Sequence, residues 1–116
     1  MLVIYAIGVY NGVMLFIETP TFTRLLLALL SDEEYRALQN TLLEDPECGD
    51  LLQGGGGIRK LRHGRQGSGK RGGVRVIYYW RKAHDEIYFL LIYPKGKKDD
   101  LNAHETALLR ELVKGL

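Results

Sequence analysis

Nine of the 16 basic residues in this 116-residue chain lie between Leu51 and His84, and no acidic residue interrupts them. Lysine and arginine at that density are suited to holding phosphate and to stabilising negative charge that builds up during a reaction. Their spacing adds direction. In Ile58–Arg62 a strand reading places Lys60 and Arg62 on one face and Leu61 on the other. In Val74-Arg-Val76 the flanking valines would join a core, so Arg75 faces away from it. If the two strands pair, Lys60, Arg62 and Arg75 converge beside a glycine-rich loop that carries Lys70 and Arg71. Glycines let backbone amides approach phosphate oxygens, so the loop reads as a clamp for a nucleic-acid strand. Tyr78, Tyr79, Trp80, Tyr88 and Tyr93 interleave with this charge, and an exposed ring can stack on an unpaired RNA base. Against this stand two plainer readings: a solvated basic face, and aromatic residues that are mostly core.

Other chemistries fit poorly. Gly67-Ser-Gly-Lys-Arg-Gly72 spells GxGxxG, but a dinucleotide fingerprint follows a strand and opens a helix, whereas Val74 opens a strand. Gly64 to Lys70 spells GxxxxGK, but Arg71 stands where a magnesium-holding Ser or Thr is required. No paired carboxylates occur in the basic half, which argues against a Mg²⁺-dependent nuclease, and no metal site or cofactor is expected. His63, His84 and His104 lack metal-ligand spacing; His63 alone lies in the basic segment, where a structural role outweighs acid–base work. Cys48 sits in a turn-like stretch without an activating base and reads as incidental. A single cysteine also fits a reducing cytoplasm.

These residues must be positioned by a small α+β fold. Leu15–Glu18 reads as a short strand, followed by an apolar helical run from Phe22 to Leu30 that Thr19 or Thr21 precedes. Ser31 and Glu34 have capping-box spacing. The helix they open shows Tyr35, Leu38 and Leu42 inward and Arg36, Gln39 and Glu44 outward, and stops near Pro46 and Gly49. Together the helices form an αα-hairpin over one sheet face. Ile58 to Arg62, Val74 to Lys82 and Glu86 to Tyr93 read as strands, the last two joined by a turn at Ala83–Glu86. Alternation in the last strand sets Ile87, Phe89, Leu91 and Tyr93 against Tyr88, Leu90 and Ile92. A final helix begins near Asn102, with Ala107, Leu108, Leu112 and Val113 as its apolar stripe. The expected sheet is antiparallel-rich, with an N-terminal helical hairpin and a C-terminal helix.

Length allows one domain. Residues 1–13 read as an N-terminal extension upstream of Met14, the residues of the domain being 14–116; an extra edge strand is the alternative. The first 17 residues are uncharged, yet they lack a basic leader region, and Tyr10, Asn11 and Gly12 break the apolar run, so no membrane span is expected. The net charge of +2 conceals a balance of −6 over residues 1–50, +9 over 51–84 and −1 beyond. That asymmetry is the signature of a polyanion-binding face.

Gly56-Gly-Ile-Arg-Lys-Leu-Arg62, Gly67-Ser-Gly-Lys-Arg-Gly-Gly-Val-Arg-Val-Ile-Tyr-Tyr79, Tyr93-Pro-Lys95 and Asp100-Leu101, with Ser31-Asp-Glu-Glu-Tyr-Arg36, resemble the HigB-type branch of the RelE/ParE toxin superfamily over about residues 14–113. The resemblance implies a microbial-RNase-like fold and an endoribonuclease that cleaves mRNA in the ribosomal A site without metal. It also implies a cytoplasmic setting and a cognate antitoxin, a helix-turn-helix protein of the HigA kind. By position it makes Arg75 the first candidate for phosphate stabilisation, with Lys60, Arg62, Lys70, Arg71 and Lys95 completing the catalytic set. Arg59, Arg65, Gly69, Tyr93 and Lys97 are then expected to contact RNA. The sequence departs from relatives that place a tyrosine near the C-terminus, since none follows Tyr93, and from those with an aromatic residue where His63 stands. Two other functions stay open at this stage: a gyrase-binding toxin of the ParE kind, and a non-catalytic RNA- or ribosome-binding module.

Overall fold

The structure, a computed structural model, describes residues 3–9, 12–64, 73–96 and 101–116, with side chains from residue 14 onward. Among these residues a six-stranded sheet is flanked by three helices, an α+β architecture consistent with a RelE-like fold. In chain order the elements are β1 (Val3–Val9), β2 (Gly12–Glu18), α1 (Pro20–Leu29), α2 (Asp32–Glu44), β3 (Asp50–Leu51), β4 (Ile58–His63), β5 (Val74–Arg81), β6 (Glu86–Pro94) and α3 (Ala103–Lys114). Strand order across the sheet is β1-β2-β6-β5-β4-β3. All neighbours are antiparallel except β2 and β6. The β2-to-β6 pairing joins segments far apart in sequence, and the helical hairpin lies between them along the chain.

The helices begin where side chains satisfy their free N–H groups. Thr19 Oγ1 accepts from Phe22 N at the start of α1, with Pro20 in the first helical turn. Ser31 and Glu34 form the expected capping box on α2, and Asn102 and Glu105 form a second one on α3. Each sheet face then acquires its own core. One face packs Phe16, Val74, Val76, Tyr78, Ile87, Phe89 and Ile92 against Phe22, Leu26, Leu38 and Leu42 of the hairpin. Phe89 is its hub, stacking on Phe22 at 4.7 Å and on Phe16 at 5.5 Å. The opposite face packs Ile17, Ile58, Ile77, Tyr88, Leu90 and Tyr93 against Val113 of α3.

Buried polar groups tie the hairpin to the sheet. Glu18 at the end of β2 is fully buried and accepts hydrogen bonds from Thr23 Oγ1 and Tyr35 Oη, each at 2.6 Å. Tyr78 Oη donates to the Pro46 carbonyl and accepts from Gly49 N, fixing the connection after α2. A Cβ at Gly49 would stand 2.8 Å from the Tyr78 ring, so only glycine fits there.

Three expectations need correction. Gln39 is buried, because it follows Tyr35 by one helical turn and joins the Tyr35, Leu38, Leu42 stripe. On α3 the inward stripe is Thr106, Leu109 and Val113, while Leu108 and Leu112 are 58% and 49% exposed. The third concerns β6, where a bulge interrupts the alternation. Ile77 pairs with Leu91 but Tyr78 pairs with Phe89, so Leu90 is the extra residue. Leu91 and Tyr93 therefore share a face with Tyr88 and Leu90, not with Ile87 and Phe89. The Leu90 carbonyl at this bulge accepts from Thr19 Oγ1 at 3.0 Å.

Candidate functional site

β4 and β5 pair in a register that sets Arg62 opposite Arg75, and β6 sets Tyr93 on the other side of Arg75. The three residues form one row across three strands. Lys60, Ile77 and Leu91 form the next row on the same face. Directly opposed side chains on antiparallel strands have Cβ atoms roughly 4.5–5.5 Å apart, and like charges so placed repel. Among the described residues neither Arg62 nor Arg75 has a carboxylate partner. Arg62 is exposed, Arg75 is half-buried, and the Arg75 Nε is buried without a hydrogen bond. A buried N–H without an acceptor is destabilising by about 1–3 kcal/mol, so Arg75 leaves a donor unused at this position.

The bulge in β6 supplies the tyrosine. Uninterrupted alternation would have turned Tyr93 toward the helical hairpin; the extra residue turns it to Arg75. Bulges re-aim side chains in this way beside functional sites. Lys95 lies two residues further on. Its backbone N donates to the Gly73 carbonyl at 2.9 Å, which extends the β5–β6 ladder one step past Val74 and Pro94 and holds Lys95 at the same end of the sheet.

Other basic residues are engaged elsewhere. Arg59 lies on the hairpin side of β4, where its Nη1 donates to the carbonyls of Glu47 and Gly49 and its Nη2 meets Glu47 Oε2 at 3.2 Å. Arg81 pairs with Glu86 at 3.1 Å, an oxygen that also accepts from Tyr88 Oη. Lys82 sits 5.7 Å from the Trp80 ring. Arg65, Gly69, Lys70, Arg71 and Lys97 lie outside the described residues.

His63 is also on the hairpin side. It lines a cleft of about 330 Å³ with Glu33, Glu34, Ala37 and Gly64. Burial lowers its pKa below the usual histidine value, opposed by a hydrogen bond with the Glu34 backbone and by the Glu34 carboxylate. It is thus separated by the sheet from Arg62 and Arg75. Burial raises the Cys48 thiol above its ordinary value, which disfavours the reactive thiolate. Among the described residues no three or more His, Cys, Asp and Glu cluster as a metal site would require. No described helix is long and apolar enough to cross a membrane.

The fold is a three-layer α+β domain with a row of two arginines on one sheet face that has no carboxylate partner among the described residues. Residues 30–116 match the family described as the RelE toxin of the RelE/RelB toxin-antitoxin system, and the chain belongs to that family. It is therefore the toxin of such a pair, and a cognate antitoxin is its partner.

Proposed function

We propose that this protein is a metal-independent endoribonuclease of the HigB-like kind, which cleaves mRNA in the ribosomal A site and so inhibits translation in the cytoplasm. The observation that carries this reading is the Arg62–Arg75 row, two cations held face to face with no carboxylate partner among the described residues. A phosphodiester bridging the two guanidiniums relieves their repulsion, and the relief grows as negative charge accumulates in the transition state. In the reaction the ribose 2′-hydroxyl attacks the adjacent phosphorus and the bond to the 5′-oxygen breaks. A base takes the hydroxyl proton, and an acid returns one to the leaving oxygen. Arg75 stabilises the phosphorane, assisted by Arg62 and Arg71. Lys60, Lys70 and Lys95 supply the groups from which base and acid are drawn. Tyr93 packs beside the phosphate, and Arg65, Gly69 and Lys97 contact the flanking RNA.

The toxin domain is residues 14–116, with β1 an addition at the sheet edge opposite β3. The antitoxin is a HigA-like helix-turn-helix protein. Replacing Arg75 by Ala, with induced expression and mapping of transcript 5′ ends, tests the activity. Growth arrest and new mRNA ends should both disappear, with the circular dichroism spectrum kept. A folded Arg75→Ala protein that still arrests growth, with transcripts intact in the wild type as well, would favour gyrase binding and exclude cleavage.

A further inference from the structure

The face that carries Arg62 and Arg75 continues along β4 and β5. Two residues past Lys60, Ile58 pairs with Tyr79, and there a cleft of about 330 Å³ opens between the β3–β4 turn and α3. Its lining is Gly56, Tyr79, Arg110, Val113, Lys114 and Leu116. Two glycines with left-handed backbone bring the turn against it. Gly56 has φ 68° and lies against the Arg110 side chain, where an added Cβ would stand 3.0 Å from Cγ. Gly57 has φ 105°, and an added Cβ would stand 3.1 Å from the Tyr79 ring.

The chemistry of this cleft differs from a leftover gap in packing. Tyr79 is half-buried, and Arg110 is exposed with no ion pair among the described residues. Lys114 has Glu111 at 3.6 Å, an exposed pair of little strength. A half-open aromatic ring with two cations at its rim suits one nucleotide, the base on the ring and the phosphate on the cations. The position identifies which nucleic acid. Tyr79 lies four residues along β5 from Arg75, about 13 Å at roughly 3.3 Å per residue. That distance spans about four stacked nucleotides at roughly 3.4 Å each. Lys60 lies on the same face between the two ends.

The geometry points to a second RNA subsite, in which Tyr79 stacks a base and Arg110 and Lys114 hold a phosphate of the same single strand that Arg62 and Arg75 engage. This rests on the ribonuclease reading, since the strand must already lie across the arginine row. It sets a minimum substrate length beyond the three nucleotides of a codon.

Fluorescence anisotropy with 2′-O-methyl RNA, which cannot be cleaved, tests it at two lengths, three and eight nucleotides sharing a central sequence. The wild type should bind the longer probe at least about tenfold more tightly, as stacking plus a phosphate contact provides. In Arg110→Glu/Lys114→Glu, and separately in Tyr79→Leu, that length advantage should fall to about twofold or less. Lys114→Glu alone should reduce it in part and serves if the double variant does not fold. A full length advantage in the folded variants, or none in the wild type, overturns the subsite while leaving the arginine row intact. A wild-type protein that binds neither probe overturns the subsite and removes the RNA reading with it.

Discussion

Arg62 and Arg75 are costly neighbours, and the cost is testable without any knowledge of substrate. Replacing Arg62 by Thr removes a directly opposed like charge and adds a residue that strands favour, so stability should rise by roughly 0.2–1 kcal/mol. The same change should weaken RNA binding and slow cleavage. Urea unfolding beside an RNA-binding titration checks both, and a destabilised variant would mean the two guanidiniums do not repel in the folded protein. His63 gives a second prediction. Its folded pKa is lowered by burial, so the unfolded chain binds the proton more readily than the folded one. The stability it contributes is full above the ordinary histidine value of about 6.5 and is lost as pH falls through the lowered folded value. His63→Gln should therefore show a shallower fall in thermal midpoint between pH 7 and about pH 5 than the wild type. Equal slopes would contradict it. At this scale the sequence was informative about Lys60, Arg62 and Arg75, because strand alternation alone puts them on one face. It could not show that Arg59 turns to Glu47 and Gly49, since that depends on where the loop after α2 returns.

Among the elements, Thr19 links two features that are far apart in the chain. Its hydroxyl accepts from Phe22 N at the start of α1 and donates to the Leu90 carbonyl at the β6 bulge. Thr19→Val keeps the shape and leaves both groups without that partner, so it should destabilise by about 1–3 kcal/mol. Because the bulge also aims Tyr93, RNA affinity should drop as well; Thr19→Ser should restore both. Denaturation and binding measured on the pair of variants decide this, and full affinity in a destabilised Thr19→Val would uncouple cap from site. Helix starts were legible because capping residues act locally, as at Ser31 and Asn102. The stripe of α3 was not. Leu108 and Leu112 are as apolar as Leu109 and Val113, and only the sheet decides which pair turns inward. The two-residue β3 was equally invisible, being too short to show a period.

Over the whole molecule, the charge imbalance read along the chain becomes an imbalance across the sheet. α2 carries Asp32, Glu33 and Glu34 in its first turn on one side, while Lys60, Arg62 and Arg75 face the other. A polarised molecule of this kind should bind single-stranded RNA with strong salt dependence. The logarithm of affinity should fall linearly with that of salt concentration, with a slope of about 0.7 per phosphate engaged. Arg75→Ala should reduce the slope by about one such unit, measured as titrations from low to physiological salt. A slope unchanged by that substitution would place the phosphate contacts elsewhere. The bulge at Leu90 gives this face a vulnerability of its own. One supernumerary residue makes β6 two half-strands of opposite phase, the first phased to the helical hairpin and the second to the arginines. A one-residue slip that draws Leu90 into the ladder would change no charge and remove no member of the row, yet it would bring the halves into a single phase and rotate Tyr93 away from Arg75. The place of Tyr93 in the row thus depends on a count as much as on a composition.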